Sequence, residues 1–211
     1  MDIQPNQLPD REFYGMLIST VAPRPIAWVS TISSDGVHNL APFSFFNVLC
    51  GTPPLVGFCP GNRGRKDKQL FGTGFKDTLR NVRETGEFVV NTVTFPLVEA
   101  MNLTSGEYEA SVNEFEVANL TLRPSQVVKP PQVAESPVSF ECKLHTLLSF
   151  GTETAGGNLV IGQIVSVHLE DSVLKDGRPD GQMLDLVGRM GGNQYVRTTA
   201  RFDLPRPARN R

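Results

Sequence analysis

The chain has 211 residues, enough to bury a substantial core without disulfide or metal staples. Aliphatic and aromatic residues make up 39 % and charged residues 20 %, with 19 glycines and 16 prolines, which excludes a disordered or coiled-coil chain and favours a turn-rich β or α+β fold. A formal net charge of −2 supplies no global attraction to nucleic acid or an anionic membrane, so any anion site must be local.

The segment Met1 to Gln7 has neither a basic n-region nor an apolar h-region, and no later run approaches the roughly 20 apolar residues of a membrane span, so a cytoplasmic protein with no membrane contact is expected. Asp10 is a candidate cap for a short helix carrying Phe13, Tyr14, Leu17 and Ile18, which should end before Pro23. From Ile26 to Ile32 the pattern changes to period two. A Ser-Ser-Asp-Gly turn at Ser33 to Gly36 and a return strand from Val37 complete a hairpin. The stretch Asn39-Leu40-Ala41-Pro42-Phe43-Ser44-Phe45-Phe46-Asn47 has two readings. One is a loop offering backbone N–H groups, the Ser44 and Asn47 side chains and a Phe45 or Phe46 ring face to an anion and a flat ring. The other is a strand with its polar residues facing outward.

Pro53-Pro54 opens a further strand, Leu55 to Cys59, and Pro60 to Phe75, rich in Gly, Lys and Arg, reads as a long exposed loop. Asp77 is expected to cap a helix from Thr78 to Thr85 that Gly86 stops. That helix start, Lys76-Asp77-Thr78, follows Gly72-Thr73-Gly74 and the basic residues Arg63, Arg65, Lys66 and Lys68. It suits a phosphate receptor or, equally, a capped surface helix beside a solvated loop. Phe88 to Thr92 is a strand; Thr94-Phe95-Pro96 and the Ser111-to-Glu114 box start short helices. An extended crossing from Pro124 to Pro137 leads into long strands at Val138 to Phe150 and Leu159 to Leu169, whose glycines suggest bends. The tail after Phe202 is expected to be loose or to pack on a partner subunit.

Six or seven strands with short helices favour a closed or half-open antiparallel barrel over a parallel α/β sheet. Cys50, Cys59 and Cys142 form no CxxC pair and read as small buried hydrophobes, and His38, His145 and His168 stand at no metal-ligand spacing. Neither GxGxxG, GxxxxGK[ST] nor GxSxG is present, which leaves cofactor-borne chemistry as the economical reading.

Taken together, Arg24-Pro-Ile-Ala-Trp-Val-Ser-Thr31, the Asn39-to-Asn47 stretch, Pro53-Pro54, Lys76-Asp-Thr78 with Asn81, Glu87-Phe-Val-Val-Asn91 and Gly188-Arg-Met-Gly-Gly192 with Tyr195 resemble the flavin reductase-like, FMN-binding split-barrel flavoproteins. The resemblance covers most of the chain. It implies one mainly β domain, a split barrel with peripheral helices over residues 1–211 (a loose tail at 203–211), forming a homodimer with FMN at or near the subunit interface. On the matched positions, Ser44, Phe45 and Asn47 would hold the flavin and its phosphate tail, and Lys76, Asp77 and Thr78 would complete the phosphate end. Arg24 and Trp28 adjoin the cofactor, Trp28 being equally a core residue; Tyr195 and the Gly191-Gly192 turn approach the pocket. NADH or NADPH would then reduce the flavin, which passes electrons to an acceptor.

One departure bears on that co-substrate. Two-component flavin reductases carry a Gly-Asp-His motif where this chain has Phe150-Gly151-Thr152-Glu153-Thr154, which opens a second reading as a non-enzymatic flavin-binding or electron-transfer protein. The Arg63-to-Gly74 insert, longer than the family pattern, is expected to cover the flavin or reach a partner subunit. A third reading, a barrel binding single-stranded nucleic acid through aromatics and the Arg63-to-Lys68 loop, is disfavoured by the acidic balance.

Overall fold

A computed structural model describes residues 2–63, 74–151 and 156–207. The basic residues Arg65, Lys66 and Lys68, Gly72-Thr73 and the Thr152-Glu153-Thr154 stretch lie outside them. Seven strands form one antiparallel sheet: β1 (Ala27–Ile32), β2 (His38–Phe43), β3 (Phe46–Gly51), β4 (Pro54–Phe58), β5 (Glu87–Asn91), β8 (Val138–Phe150) and β9 (Gly157–Leu169). Their order across the sheet is β2-β1-β5-β8-β9-β4-β3. Two-stranded ribbons join β6 (Leu122–Arg123) to β7 (Gln132–Val133), β10 (Leu174–Lys175) to β11 (Arg178–Pro179), and β12 (Val187–Arg189) to β13 (Tyr195–Arg197).

The two edge strands, β2 and β3, are neighbours in sequence, joined only by Ser44 and Phe45. A flat seven-strand sheet would separate its edges by about six spacings of nearly 5 Å each, far beyond what two residues can span. The sheet must therefore curl until its edges almost meet, and since β2 and β3 share no ladder, the cylinder is left split along that seam. This is the split barrel expected from the resemblance. The Asn39-to-Asn47 stretch is accordingly less a loop than two strand ends flanking a two-residue corner.

Alternation along β1 sorts its residues onto two cores. Ala27 and Val29 face the barrel interior with Phe43, Val56, Phe58, Phe88 and Val160, while Ile26 and Trp28 join Leu40, Met101, Phe115 and Val187 on the outer face. Gly162 lies within β9, where a Cβ would sit 2.2 Å from the Phe88 ring, so the glycine makes room for an interior aromatic. Among the described residues the α-helices are α1 (Asp10–Thr20), α2 (Asp77–Thr85), α3 (Val98–Leu103), α4 (Glu114–Val117) and α5 (Gly181–Leu184). Leu79 and Val82 of α2 pack into the interior core. Gly86 ends α2 with φ 71°, its N–H on the Val82 carbonyl, as expected of a C-terminal glycine.

The caps differ from expectation. Asp10 and Asp77 are the first residues inside their helices, following Pro9 and Lys76, and neither cap residue uses its side chain. An acid in the first turn is favoured by the helix dipole alone, so its presence does not locate the cap. At α4 the capping side chain is Asn113, accepting from Phe115 N, rather than Ser111. Of the cysteines only Cys142 is buried; Cys50 and Cys59 are half-buried, and all three are free.

A fully buried carboxylate organises the crossing between β6 and β8. Glu141 accepts from the N–H groups of Gln126, Val127 and Val128 and from Gln132 Nε2, at 2.7–3.2 Å. Burial pushes this carboxyl up, but the three backbone donors and Gln132 outweigh it and hold it below its ordinary range. Because its folded-state pKa lies below the unfolded value, the stabilisation is present above the ordinary carboxylate range and lost as pH falls through the folded value. Glu141→Ala should lower stability by about 3 kcal/mol in urea unfolding at neutral pH. The gap between wild type and variant should shrink in strong acid; a gap independent of pH would contradict the charged state.

Candidate functional site

At the seam the surface opens into three connected hollows of about 890, 360 and 150 Å³. Tyr14 and Pro42 line all three, so they form one cleft. The largest is apolar: Tyr14, Phe43, Phe45, Cys59 and Phe150 form its walls, with Arg11 at its edge. The second is lined by Asn39, Arg63, Lys76, Asp77, Thr78 and Glu114, and the smallest by Arg24, Ser44, Met101, Arg189 and Tyr195.

The polar end is built on the start of α2. Lys76 stands at the N-cap in extended conformation, partly exposed, with Nζ 3.8 Å from Glu107. Asp77 lies between Arg63 and Arg80 at 2.6 Å each, so both arginines are already engaged by a carboxylate. Thr78 is buried, and its Oγ1 accepts from Asn39 Nδ2 at 2.9 Å. The first N–H groups of a helix have no partner within it, and with Lys76 beside them this end is receptive to an anion. Glu114 is buried and its Oε2 accepts from Leu40 N at 3.0 Å. Burial raises its carboxyl to about 7, with Asp77 adding to the rise and the Leu40 N–H opposing it.

The apolar end is held by Arg24. Its Nη1 donates to the carbonyls of Ile18 and Val21 at 2.6 and 2.5 Å, Nη2 to that of Met190 at 3.0 Å, and Nε to Ser44 Oγ at 3.4 Å. One planar fork thus ties the end of α1, the turn after β12 and the corner of the seam. Its guanidinium also lies 5.8 Å from the centroid of the Phe45 ring, which meets Tyr14 at 6.2 Å. Helix α1 buries none of its residues completely, so this clamp and the Tyr14–Phe45 contact hold it over the cleft. Arg189 donates to the Tyr195 hydroxyl and the Gly192 carbonyl and lies 4.5 Å from the Tyr195 ring centroid.

Seven of the nine residues named from sequence line the cleft: Arg24, Ser44, Phe45, Lys76, Asp77, Thr78 and Tyr195. Trp28 is not among the lining residues. It is fully buried on the outer face of β1, with Nε1–H donating to Thr104 Oγ1 at 2.9 Å, which fits the core reading left open for it. Asn47 is exposed on β3, its Oδ1 accepting from the N–H of its neighbour Val48 at 2.9 Å, and it too is absent from the cleft wall. Tyr14, Asn39, Glu114 and Arg189 line the cleft without having been singled out individually. Tyr14 stands among apolar helix positions, and Glu114 looked like one member of a capping box.

A split antiparallel barrel with a cleft along its seam, one end apolar and aromatic and the other a helix start, defines a class of flavin-associated folds. The Flavin reductase like domain family matches residues 19–190, and the chain belongs to that family. An uncharacterized protein of Halalkalibacterium halodurans is 42 % identical over 209 residues, covering 98 % of this chain and 97 % of its own. Nitrilotriacetate monooxygenase component B from Bacillus cereus superposes with a TM-score of 0.89 at 30 % identity, covering 97 % of this chain and 98 % of its own. The 2-nitrobenzoate 2-nitroreductase of Pseudomonas fluorescens gives 0.84 at 30 % identity, over 98 % and 96 % of the two chains. Among the described residues no helix is long and apolar enough to cross a membrane, and no cluster of His, Cys, Asp and Glu suited to a metal ion occurs.

The clamp can be tested directly. Arg24→Ala should cost about 2–3 kcal/mol and speed amide exchange in α1 well above the rest of the chain. Arg24→Lys should rescue little, since a single ammonium cannot span three carbonyls and a hydroxyl. Unchanged exchange in α1 would exclude the clamp.

Proposed function

We propose that this protein is an FMN-dependent oxidoreductase of a single flavin reductase-like domain, acting in the cytoplasm on a small-molecule acceptor. The observation that carries this reading is the continuous cleft at the seam, with an anion-receptive helix start at one end and an aromatic hollow at the other. The residues present suit the cofactor. Lys76, Thr78 and the first N–H groups of α2 would receive the phosphate, while Ser44, Phe45 and Tyr14 would border the ring, with Tyr195 and Arg189 beside them. When bound, the flavin supplies hydride acceptance from NADH or NADPH and onward electron transfer. The chain's part is to orient the ring, exclude water through Tyr14 and the aromatic wall, and balance charge near the phosphate.

The same reading includes a homodimer, and exposed apolar side chains support it. Val48 of the edge strand β3 and Leu148 and Phe150 of β8 are exposed apolar side chains of the kind a second copy would cover. Phe150 also lines the apolar hollow, so a partner seated there would border the cleft. Nothing in the charge balance favours nucleic acid.

The alternative of a non-enzymatic flavin-binding or electron-transfer protein draws support from the Phe150-Gly151-Thr152 sequence that stands where reductases carry Gly-Asp-His. Stopped-flow mixing of the anaerobic holoprotein with NADH or NADPH separates the two. Bleaching of the visible flavin band supports the oxidoreductase, and its absence with both nucleotides favours the alternative. The paired change Lys76→Ala with Thr78→Val should weaken FMN about 10- to 100-fold, measured by quenching of flavin fluorescence, while riboflavin binding changes little. Unchanged FMN affinity would remove the phosphate end from α2.

A further inference from the structure

We infer that Glu114 is a proton-carrying member of the anion end of the cleft, so that binding a phosphate group there draws a proton from solvent. The inference rests on the proposed placement of the FMN phosphate at α2 and adds to it a residue and a linked equilibrium. Two adjacent residues of β2 bring the parts together. Asn39 donates to Thr78, Leu40 donates to Glu114, and both acceptor side chains line the same hollow.

Among the described residues, the groups around that hollow leave this carboxyl without a cation within 4 Å. From α2 come Lys76 and Asp77, with Arg80 held by Asp77; from the adjoining loops come Arg63, Glu107 and Tyr108; Arg189 comes from β12 and Tyr14 from α1. His38 of β2 stacks edgewise on Phe115, and Glu116 lies on the same helix, accepting from Asn113. Arg63 and Arg80 engage Asp77, Lys76 and Arg63 lie within 4 Å of Glu107, and Arg189 serves Tyr195 and Gly192. Among the described residues no cation lies within 4 Å of Glu114, whose carboxylate accepts from the Leu40 N–H. A carboxyl buried in this way, with Asp77 near it, titrates at about neutral pH.

A phosphate in the same hollow adds further negative charge beside it. That disfavours the carboxylate, and the protonated form offers an O–H donor where a carboxylate would only repel. By linkage, affinity is greatest while Glu114 is protonated and falls as pH rises past about 7, by up to about tenfold per unit for one coupled proton.

The test is calorimetric titration of the apoprotein with FMN at pH 7.5, in two buffers of different ionisation enthalpy. A phosphate monoester is already almost wholly dianionic at that pH, so its own titration contributes little. Wild type should take up a fraction of a proton with FMN and none with riboflavin. Glu114→Gln, which keeps an acceptor for Leu40 N, should bind FMN without the uptake. Equal uptake with FMN and riboflavin, or no uptake at all with FMN bound, overturns the role of Glu114 and leaves the FMN reading standing. Failure of wild type to bind FMN overturns both. Should the variant not fold, the wild-type comparison of FMN with riboflavin decides alone.

Discussion

The architecture depends on a length constraint: two residues, Ser44 and Phe45, connect the opposite edges of a seven-strand sheet. The sheet has to curl to satisfy it, and register shifts in the β8–β9 pair, between Glu141 and Cys142 and between Leu144 and Thr146, add twist and curvature. Curling creates an interior, which Phe43, Phe58 and Phe88 fill, the first two ring pairs meeting at 5.1 and 5.3 Å. It also leaves a seam whose strands do not pair. The cleft occupies that seam, so the feature that shapes the core also opens the surface.

Backbone groups that the sheet does not satisfy are met by a few buried polar side chains. Glu141 gathers three N–H groups of the crossing, and Asn91 donates to the Trp28 carbonyl while accepting from Val133 N and Ser139 Oγ. Arg24 does the converse for carbonyls, collecting those of Ile18, Val21 and Met190. Unpaired, each of these groups would cost on the order of a hydrogen bond or more in burial. The irregular segments around the barrel can therefore pack closely against it without regular structure of their own.

Much of this was legible in the residue pattern. Alternation and turn residues marked β1, the start of β2 and the β8–β9 pair almost to its ends, and Gly86 marked the end of α2. The corner at Ser44-Phe45 was not separable from a loop, because aromatic and polar residues alternate in both. Caps shifted by one residue at Asp10 and Asp77, since an acid in the first turn serves the dipole as well as a cap would. Trp28 and Asn47 share motifs with cleft residues, but strand alternation turns Trp28 to the outer face and the edge position exposes Asn47. Glu114 owes its burial to a strand more than seventy residues earlier, a relation that no local pattern carries.

The pairing of β4 with β9 brings together residues about a hundred positions apart, Leu55 opposite Gln163, whereas β1–β2, β3–β4 and β8–β9 are joined locally. Loop-closure entropy makes such a long-range union the expensive one in chain assembly. The walls of the cleft come from both sides of it, with Cys59, just after β4, on one side and Phe150 and Gly157 of β8 and β9 on the other. The hairpins are closed by local turns, but the cleft is a property of the closed cylinder and comes into being only with its costliest contact.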